Sequence, residues 1–320
     1  MTIRDHEAGE RVLVTGGTGF LGSHVVQRLL RDGQHDVAIL VRQESNLWRI
    51  EELLDSVTLI KGDLRQPSSL EHQLTEFEPH VVLHLAWSGV LGSARNSPDQ
   101  VENIQHSLEL IRMTARAGGR YWIGLGSQAE YGPCSQVIDE REPTHPTTLY
   151  GVSKLATNLV ANQLCEQLGL RFAWVRLFSC FGPKDHPSWF IPYVILKFFN
   201  GVRPAVTLAE QQWDYLYVAD AADALCRLVA HPEAQGVFNL GSGQAFKLRE
   251  LLENIRDRID PSRPIGFGEL PYRSDQVMYL KADIRRLHEA TGWQPATSLT
   301  DAIAETVRWY GEHRDNYPDN

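Results

Sequence analysis

The chain has 320 residues, of which 42% are apolar and 22% charged, and carries a formal net charge of −9. This composition fits a globular protein with a sizeable core, long enough for one large α/β domain or two modest ones. The acidic balance argues against nucleic acid or an anionic membrane as a partner, and no apolar run approaches bilayer-spanning length. The first residues lack the apolar centre of a signal peptide, and Cys134, Cys165, Cys180 and Cys226 show no paired spacing. A cytoplasmic protein with reduced thiols and no metal site is therefore expected, and the twelve histidines show no ligand spacing either.

In chain order, an apolar run at Val12–Val14 leads into Thr15-Gly16-Gly17-Thr18-Gly19-Phe20-Leu21-Gly22, and a helical pattern follows from Ser23 to Leu30. Strand, glycine-rich turn and helix is the context in which such spacing marks a dinucleotide pyrophosphate site. Gly16 allows positive φ in a tight turn, Gly19 lets the backbone approach the phosphates, and Gly22 lets helix and strand pack closely. The first N–H groups of the helix and its positive dipole end then face the anion.

Further strands are predicted at Asp36–Val41, Val57–Ile60, Pro79–Leu85 and Tyr121–Leu125, separated by helices at Leu47–Leu54, Ser68–Phe77 and Pro98–Ala117. That alternation predicts a doubly wound parallel α/β sheet covered on both faces. A long helix from about Tyr150 to Leu168 and a strand at Arg171–Leu177 continue it. Beyond Phe178, proline and aromatic residues become frequent, and helices at Leu248–Ile259 and Leu299–Tyr310 dominate. The segment Trp189–Phe199 holds Pro192 and Lys197 and reads as a partly buried helix. The expected division is a dinucleotide-binding domain of residues 1–178 plus 214–240, with a smaller, interleaved substrate domain of residues 179–213 plus 241–320.

Chemistry is suggested by Tyr150-Gly151-Val152-Ser153-Lys154, where Tyr and Lys at i and i+4 share one helical face. A phenol titrates near 10, too high for proton transfer at neutrality, and a nearby ammonium favours the phenolate. Ser127, just past a predicted strand, stands at a carboxyl end, where ligands gather in such sheets, and its hydroxyl suits a carbonyl.

These motifs resemble the extended short-chain dehydrogenase/reductase family, in its nucleotide-sugar-modifying branch. The resemblance runs from Gly16-x-x-Gly19-x-x-Gly22 through Gly62-Asp63-Leu64, His84-Leu85-Ala86, Ser127 with Tyr131-Gly132, and Tyr150-x-x-x-Lys154. It continues through Val175-Arg176-Leu177-Phe178, Asp214-Tyr215-Leu216-Tyr217-Val218-x-Asp220 and Thr291-Gly292-Trp293-Gln294-Pro295. It implies a Rossmann domain holding a nicotinamide cofactor and a nucleotide-sugar in the cleft. Ser127, Tyr150 and Lys154 are then the catalytic set, with Tyr150 and Lys154 also against the cofactor. Gly16, Gly19, Phe20, Leu21 and Gly22 hold the pyrophosphate, Asp63 and Leu64 the adenine, and Leu85 and Ala86 the ribose. Arg273 and Ser179 match phosphate-binding positions, although Trp213 replaces a second phosphate-binding Arg. Trp87 shapes the sugar pocket or packs in the core. Family members often dimerise through the helices placed here at 98–117 and 150–168, so a homodimer is expected.

Two departures narrow the reaction. Where NAD-selective members end the second strand with an acid, this chain has Arg42, which pairs with a 2′-phosphate, supported by Ser45, Asn46 and Arg49. NADP(H) is therefore the expected cofactor, with NAD as the alternative. Sugar-nucleotide 4,6-dehydratases of the family place an Asp-Glu pair after the catalytic Ser or Thr, whereas Gln128-Ala129 stand here and Glu130 falls one place late. Water elimination needs those groups. The expected activity is an NADPH-dependent 4-ketoreductase of a nucleotide-linked 4-keto-6-deoxyhexose, with a 4-epimerase using the same residues as the alternative. Reduction of a non-sugar carbonyl is opposed by Arg273, and a non-catalytic binding role by the intact Ser127, Tyr150 and Lys154.

Overall fold

The computed structural model describes residues 9–272 and 276–317. In the first half, strands β1 (Glu10–Thr15), β2 (His35–Val41), β3 (Thr58–Lys61), β4 (Val81–His84) and β5 (Tyr121–Ser127) alternate with helices α1 (Phe20–Asp32), α2 (Glu71–Phe77) and α3 (Gln100–Arg116). A short β6 (Val137–Ile138), the long α4 (Leu149–Leu168), β7 (Arg171–Leu177) and β8 (Ser179–Phe181) follow. The remainder comprises α5 (Phe190–Phe199), β9 (Gln212–Trp213), β10 (Tyr215–Tyr217), α6 (Val218–Ala230), β11 (Gly236–Leu240) and β12 (Phe246–Lys247). It ends with α7 (Leu248–Ile259), β13 (Tyr279–Ala282), α8 (Arg285–Thr291) and α9 (Leu299–Glu312).

The central parallel sheet has seven strands in the order β3-β2-β1-β4-β5-β7-β11, the doubly wound Rossmann arrangement. β1 pairs in parallel with β2 on one side, Val12 opposite Val37, and with β4 on the other, Val12 opposite Val81. The chain therefore reverses direction of winding at β1, and the crevice at such a switch point is where ligands bind. Val12, Leu13 and Val14 are completely buried, as a strand covered on both faces requires.

The chain divides into two compact units, Met1–Gly126 with Thr148–Trp174 and Leu225–Gly236, and Ser127–Thr147 with Val175–Ala224 and Val237–Asn320. In the first, the rings of Trp122, Phe172 and Trp174 stack at centroid spacings of 5.9 and 6.4 Å. Gly124 makes room for them, since a Cβ there would lie 2.4 Å from Trp122 and 2.6 Å from Trp174. In the second, α5, α7 and α9 pack together beside a four-stranded sheet, β12-β9-β13-β6. Buried carboxylates tie its loops: Asp214 accepts from the backbone N–H of Ser242, Gly243 and Ala282, and Asp220 from Ala296 and Thr297.

Local differences from the sequence reading have physical causes. The Leu47–Leu54 segment is a 3-10 helix over Trp48–Ser56 that buries only Ile50, too little apolar surface to hold a regular α-helix. α2 starts at Glu71 because Pro67 initiates a separate 3-10 turn. β5 runs on through Gly126 to Ser127, so Ser127 is its last residue rather than a loop residue. α6, built on an alanine-rich run, has no counterpart among the helices predicted from the sequence. Among the described residues no helix is long and apolar enough to cross a membrane.

Candidate active site

The turn between β1 and α1 is shaped by its glycines. Gly16 has φ of 71°, and a Cβ there would lie 2.8 Å from the Ala86 nitrogen. A Cβ on Gly22 would lie 2.1 Å from the Gly16 carbonyl oxygen, so any side chain would push α1 off the turn. Gly19 caps α1 without a side-chain hydrogen bond, leaving the helix's first N–H donors to other acceptors. This cradle, which a Cβ would fill, fits a dinucleotide pyrophosphate. Phe20 and Leu21 open α1. Leu85 N–H donates to the Thr15 carbonyl, and Ala86 N–H to the Thr15 hydroxyl, which also bonds His84 Nδ1 at 2.8 Å. His84 bonds Ser107 through Nε2, and burial, then the charge of Lys154, push it down to about 3. It is a neutral structural peg between β1, β4 and α3.

The ends of β2 and β3 carry a charged cluster. Arg42 Nε lies 3.4 Å from Glu44, and its backbone N–H donates to the Ser45 hydroxyl at 2.9 Å. Asn46 accepts from Trp48 N–H, and the Arg49 guanidinium lies over the Trp48 ring. Asp63 is clamped by Arg65, which donates to both carboxylate oxygens at 2.5–3.1 Å and reaches Glu44 at 3.8 Å. Those hydrogen bonds hold the Asp63 carboxyl below its usual range. Leu64 and Arg65 line a cavity of about 450 Å³ with Pro67 and α3 residues. Sequence reasoning missed Arg65; its spacing of two from Asp63, as in an Asx-type turn, was the available signal.

The structure brings Tyr150, Lys154 and Trp87 together. Thr148 caps α4, accepting from Gly151 N–H, and so sets the first turn that carries Tyr150. Tyr150 and Lys154 are both buried. The Lys154 ammonium donates to the Leu125 carbonyl at 2.5 Å and sits 3.7 Å from the centre of the Trp87 ring. A buried ammonium needs such compensation, and an indole face is the best aromatic partner for a cation. Trp87 meets the Tyr150 ring edge-on at 6.2 Å, and its Nε1 donates to buried Gln100 at 2.8 Å. Trp87 is thus a wall of the Tyr–Lys pair. No sequence spacing links residues 87 and 154, because the contact exists only after β4 and α4 are packed.

Ser127 belongs to the second unit and ends β5 there. Its hydroxyl accepts from Ala129 N–H at 3.2 Å, and its own N–H donates to Glu130 at 2.9 Å, closing a reciprocal cap. The carboxylate of Glu130 is fully buried and bonded to Arg176 Nε at 2.8 Å. Arg176 lies over the Tyr131 ring, whose hydroxyl donates to Asn239 at 2.7 Å. Glu130 is therefore tied into structure. Ser179 begins β8, paired with Tyr215 of β10. Trp213 packs into the Tyr131–Phe178–Leu280 core and donates from its indole to the Val277 carbonyl, a packing role. Arg273 lies outside the described residues. Among the described residues no group of three or more His, Cys, Asp and Glu is arranged to hold a metal.

Residues 12–241 match the model of the NAD dependent epimerase/dehydratase family. The chain belongs to that family. It is similar to the UDP-glucose 4-epimerase of Halalkalibacterium halodurans, 28% identical over 331 residues that cover 96% of this chain and 97% of the relative. It is also similar to the GDP-6-deoxy-D-mannose reductase of Pseudomonas aeruginosa, 29% identical over 310 residues covering 92% and 95%. Among solved structures it matches UDP-N-acetylglucosamine 4-epimerase from Methanobrevibacter ruminantium, in complex with UDP-N-acetylmuramic acid. That match has a TM-score of 0.86 and 26% identity, covering 95% of this chain and 99% of the other. Several other matched structures hold NAD. As an epimerase/dehydratase family member, the protein is a nicotinamide-dependent enzyme of the group that modifies nucleotide-sugars.

Proposed function

We propose that the protein is an NADP(H)-dependent reductase that delivers hydride to C4 of a nucleotide-linked 4-keto-6-deoxyhexose. The observation carrying this reading is the end of β2, where Arg42 replaces the acid that would accept the ribose 2′-hydroxyl. The Gly16–Gly22 turn with Phe20 and Leu21 holds the pyrophosphate, Arg42 and Asn46 the 2′-phosphate, Asp63 and Leu64 the adenine, and Leu85 and Ala86 the ribose. When bound, the nicotinamide supplies the hydride. Ser127 hydrogen-bonds the substrate carbonyl: its oxygen already accepts from Ala129 N–H, so its proton is the part left to donate. Tyr150 gives its proton to the alkoxide forming at O4, and Lys154 supports the phenolate that remains. Trp87 borders the sugar, while Ser179 and Arg273 take phosphate oxygens.

The absence of an Asp-Glu pair after Ser127 supports this reading over a dehydratase, and the burial of Glu130 against Arg176 supports it further. Residues 179–213 and 241–320 form most of the substrate side, while residues 1–178 and 214–240 hold the cofactor and supply Trp87, Ser127 and Tyr150 to the reacting end of the sugar. A homodimer through α3 and α4, which pack side by side, fits the apolar side chains these helices expose, among them Val101 and Leu159. The second reading, a nucleotide-sugar 4-epimerase using the same Ser127, Tyr150 and Lys154, is favoured by the epimerases among the relatives.

Cofactor choice tests the carrying observation. The wild type should use NADPH in preference to NADH. Arg42→Asp should cost about 1.5–3 kcal/mol of NADPH binding, tenfold or more, while improving NADH. Cofactor titrations of both proteins measure this, and an unchanged NADPH/NADH ratio contradicts the assignment.

A further inference from the structure

A second cation stands over the candidate proton donor. The Arg95 guanidinium carbon lies 4.4 Å from the centre of the Tyr150 ring, closer than the Lys154 ammonium at 5.9 Å. Arg95 makes no hydrogen bond or ion pair with any described residue, although arginines elsewhere on this chain commonly pair with carboxylates. Among the described residues its five N–H donors meet no acceptor, and the Tyr150 ring is what its charge covers.

The arrangement is held from both sides. Arg95 lies in a 3-10 turn, Gly92–Asn96, between β4 and α3. Its neighbour Asn96 accepts from the backbone N–H of Leu149, the first residue of α4 and the one preceding Tyr150. Its other neighbour, Ala94, offers its carbonyl to the buried Gln100 amide, which also binds the carbonyl of Gly89 and accepts from the Trp87 indole. One buried amide thus fixes both the wall behind Lys154 and the turn that carries Arg95. An arginine free to wander in solvent has no such frame.

We propose that Arg95 is an electrostatic positioning residue for Tyr150, its guanidinium stabilising the phenolate left when the tyrosine gives up its proton. The inference rests on the reading of Tyr150 as proton donor. During reduction the phenolic O–H bond breaks, the proton bonds to the substrate's O4, and the negative charge stays on the ring. A cation over the ring face is attracted more strongly to phenolate than to phenol. Lys154 on α4 acts in the same sense. The other groups on neighbouring elements are Trp87, which is neutral, His84, held neutral, and, on α3 and its N-cap, Asp99, Glu102, His106, Glu109, Arg112 and Arg116.

The test is a tyrosinate titration at 295 nm on the substrate-free protein, with the Tyr150→Phe spectrum subtracted to isolate Tyr150. Burial assists this separation by pushing Tyr131 up to about 12 and moving Tyr121, Tyr215 and Tyr217 higher still. Arg95→Gln and Arg95→Met should raise the midpoint for Tyr150 by about one pH unit or more, and Arg95→Lys should restore most of the difference. Equal midpoints in wild type and Arg95→Gln would overturn the proposal. So would a Lys variant that titrates like the Gln variant, since charge would then not be the agent. The measurement needs no substrate, so it stands apart from whether the enzyme reduces or epimerises. Failure of the Tyr150 reading itself appears separately, as retained turnover in Tyr150→Phe.

Discussion

Tyr150→Phe should lower kcat by about 10²–10⁴-fold while leaving cofactor affinity and thermal stability near wild type. Only a hydroxyl is removed. The ring that packs against Trp87 and beneath Arg95 remains, and Lys154 keeps its bond to the Leu125 carbonyl. Steady-state rates, paired with a cofactor titration and a melting curve, separate the two effects. Turnover within a few fold of wild type contradicts the assignment of Tyr150, whereas a collapse in melting temperature would make the loss structural.

The other large effect is on stability. Glu130→Ala should destabilise the fold by about 3–5 kcal/mol, because it leaves Arg176 charged and buried without its partner. It also removes the acceptor for Ser127 N–H, loosening the cap that orients the Ser127 hydroxyl. Replacing both members with apolar residues, Glu130→Leu with Arg176→Met, should recover much of the stability, since well-packed apolar pairs often match buried ion pairs. Urea unfolding of the single and double variants measures this. A single variant that loses less than about 1 kcal/mol would place Glu130 outside the structural network.

The Rossmann sheet was legible because its grammar is local. Val12–Val14 and the glycine spacing of 16, 19 and 22 state strand, turn and helix within one short stretch, and the Gly16 and Gly22 contacts follow from that geometry. Tyr150 and Lys154 were legible for the same reason, since a spacing of four fixes one helical face. What escaped depends on tertiary contact. Nothing in the sequence places Trp87 over Lys154 or Arg95 over Tyr150, because β4, its following turn and α4 meet only in the folded chain. Glu130 is a middle case: the resemblance to the family's dehydratases places it one position late for their acidic pair, but its burial against Arg176 needed coordinates. The 48–56 segment misled because its apolar spacing suggests an amphipathic helix, while the fold gives it little to pack against.

The proposed one-way reduction at C4 can be followed through the hydrogen that is transferred. The enzyme is incubated with a nucleotide-linked 4-keto-6-deoxyhexose and NADPH carrying deuterium on the transferable position of its nicotinamide. A reductase should consume one NADPH per product and place deuterium at C4 of the sugar. Interconversion of a gluco/galacto pair of nucleotide-sugars, with the substrate's own C4 hydrogen retained and no net consumption of NADPH, would contradict it.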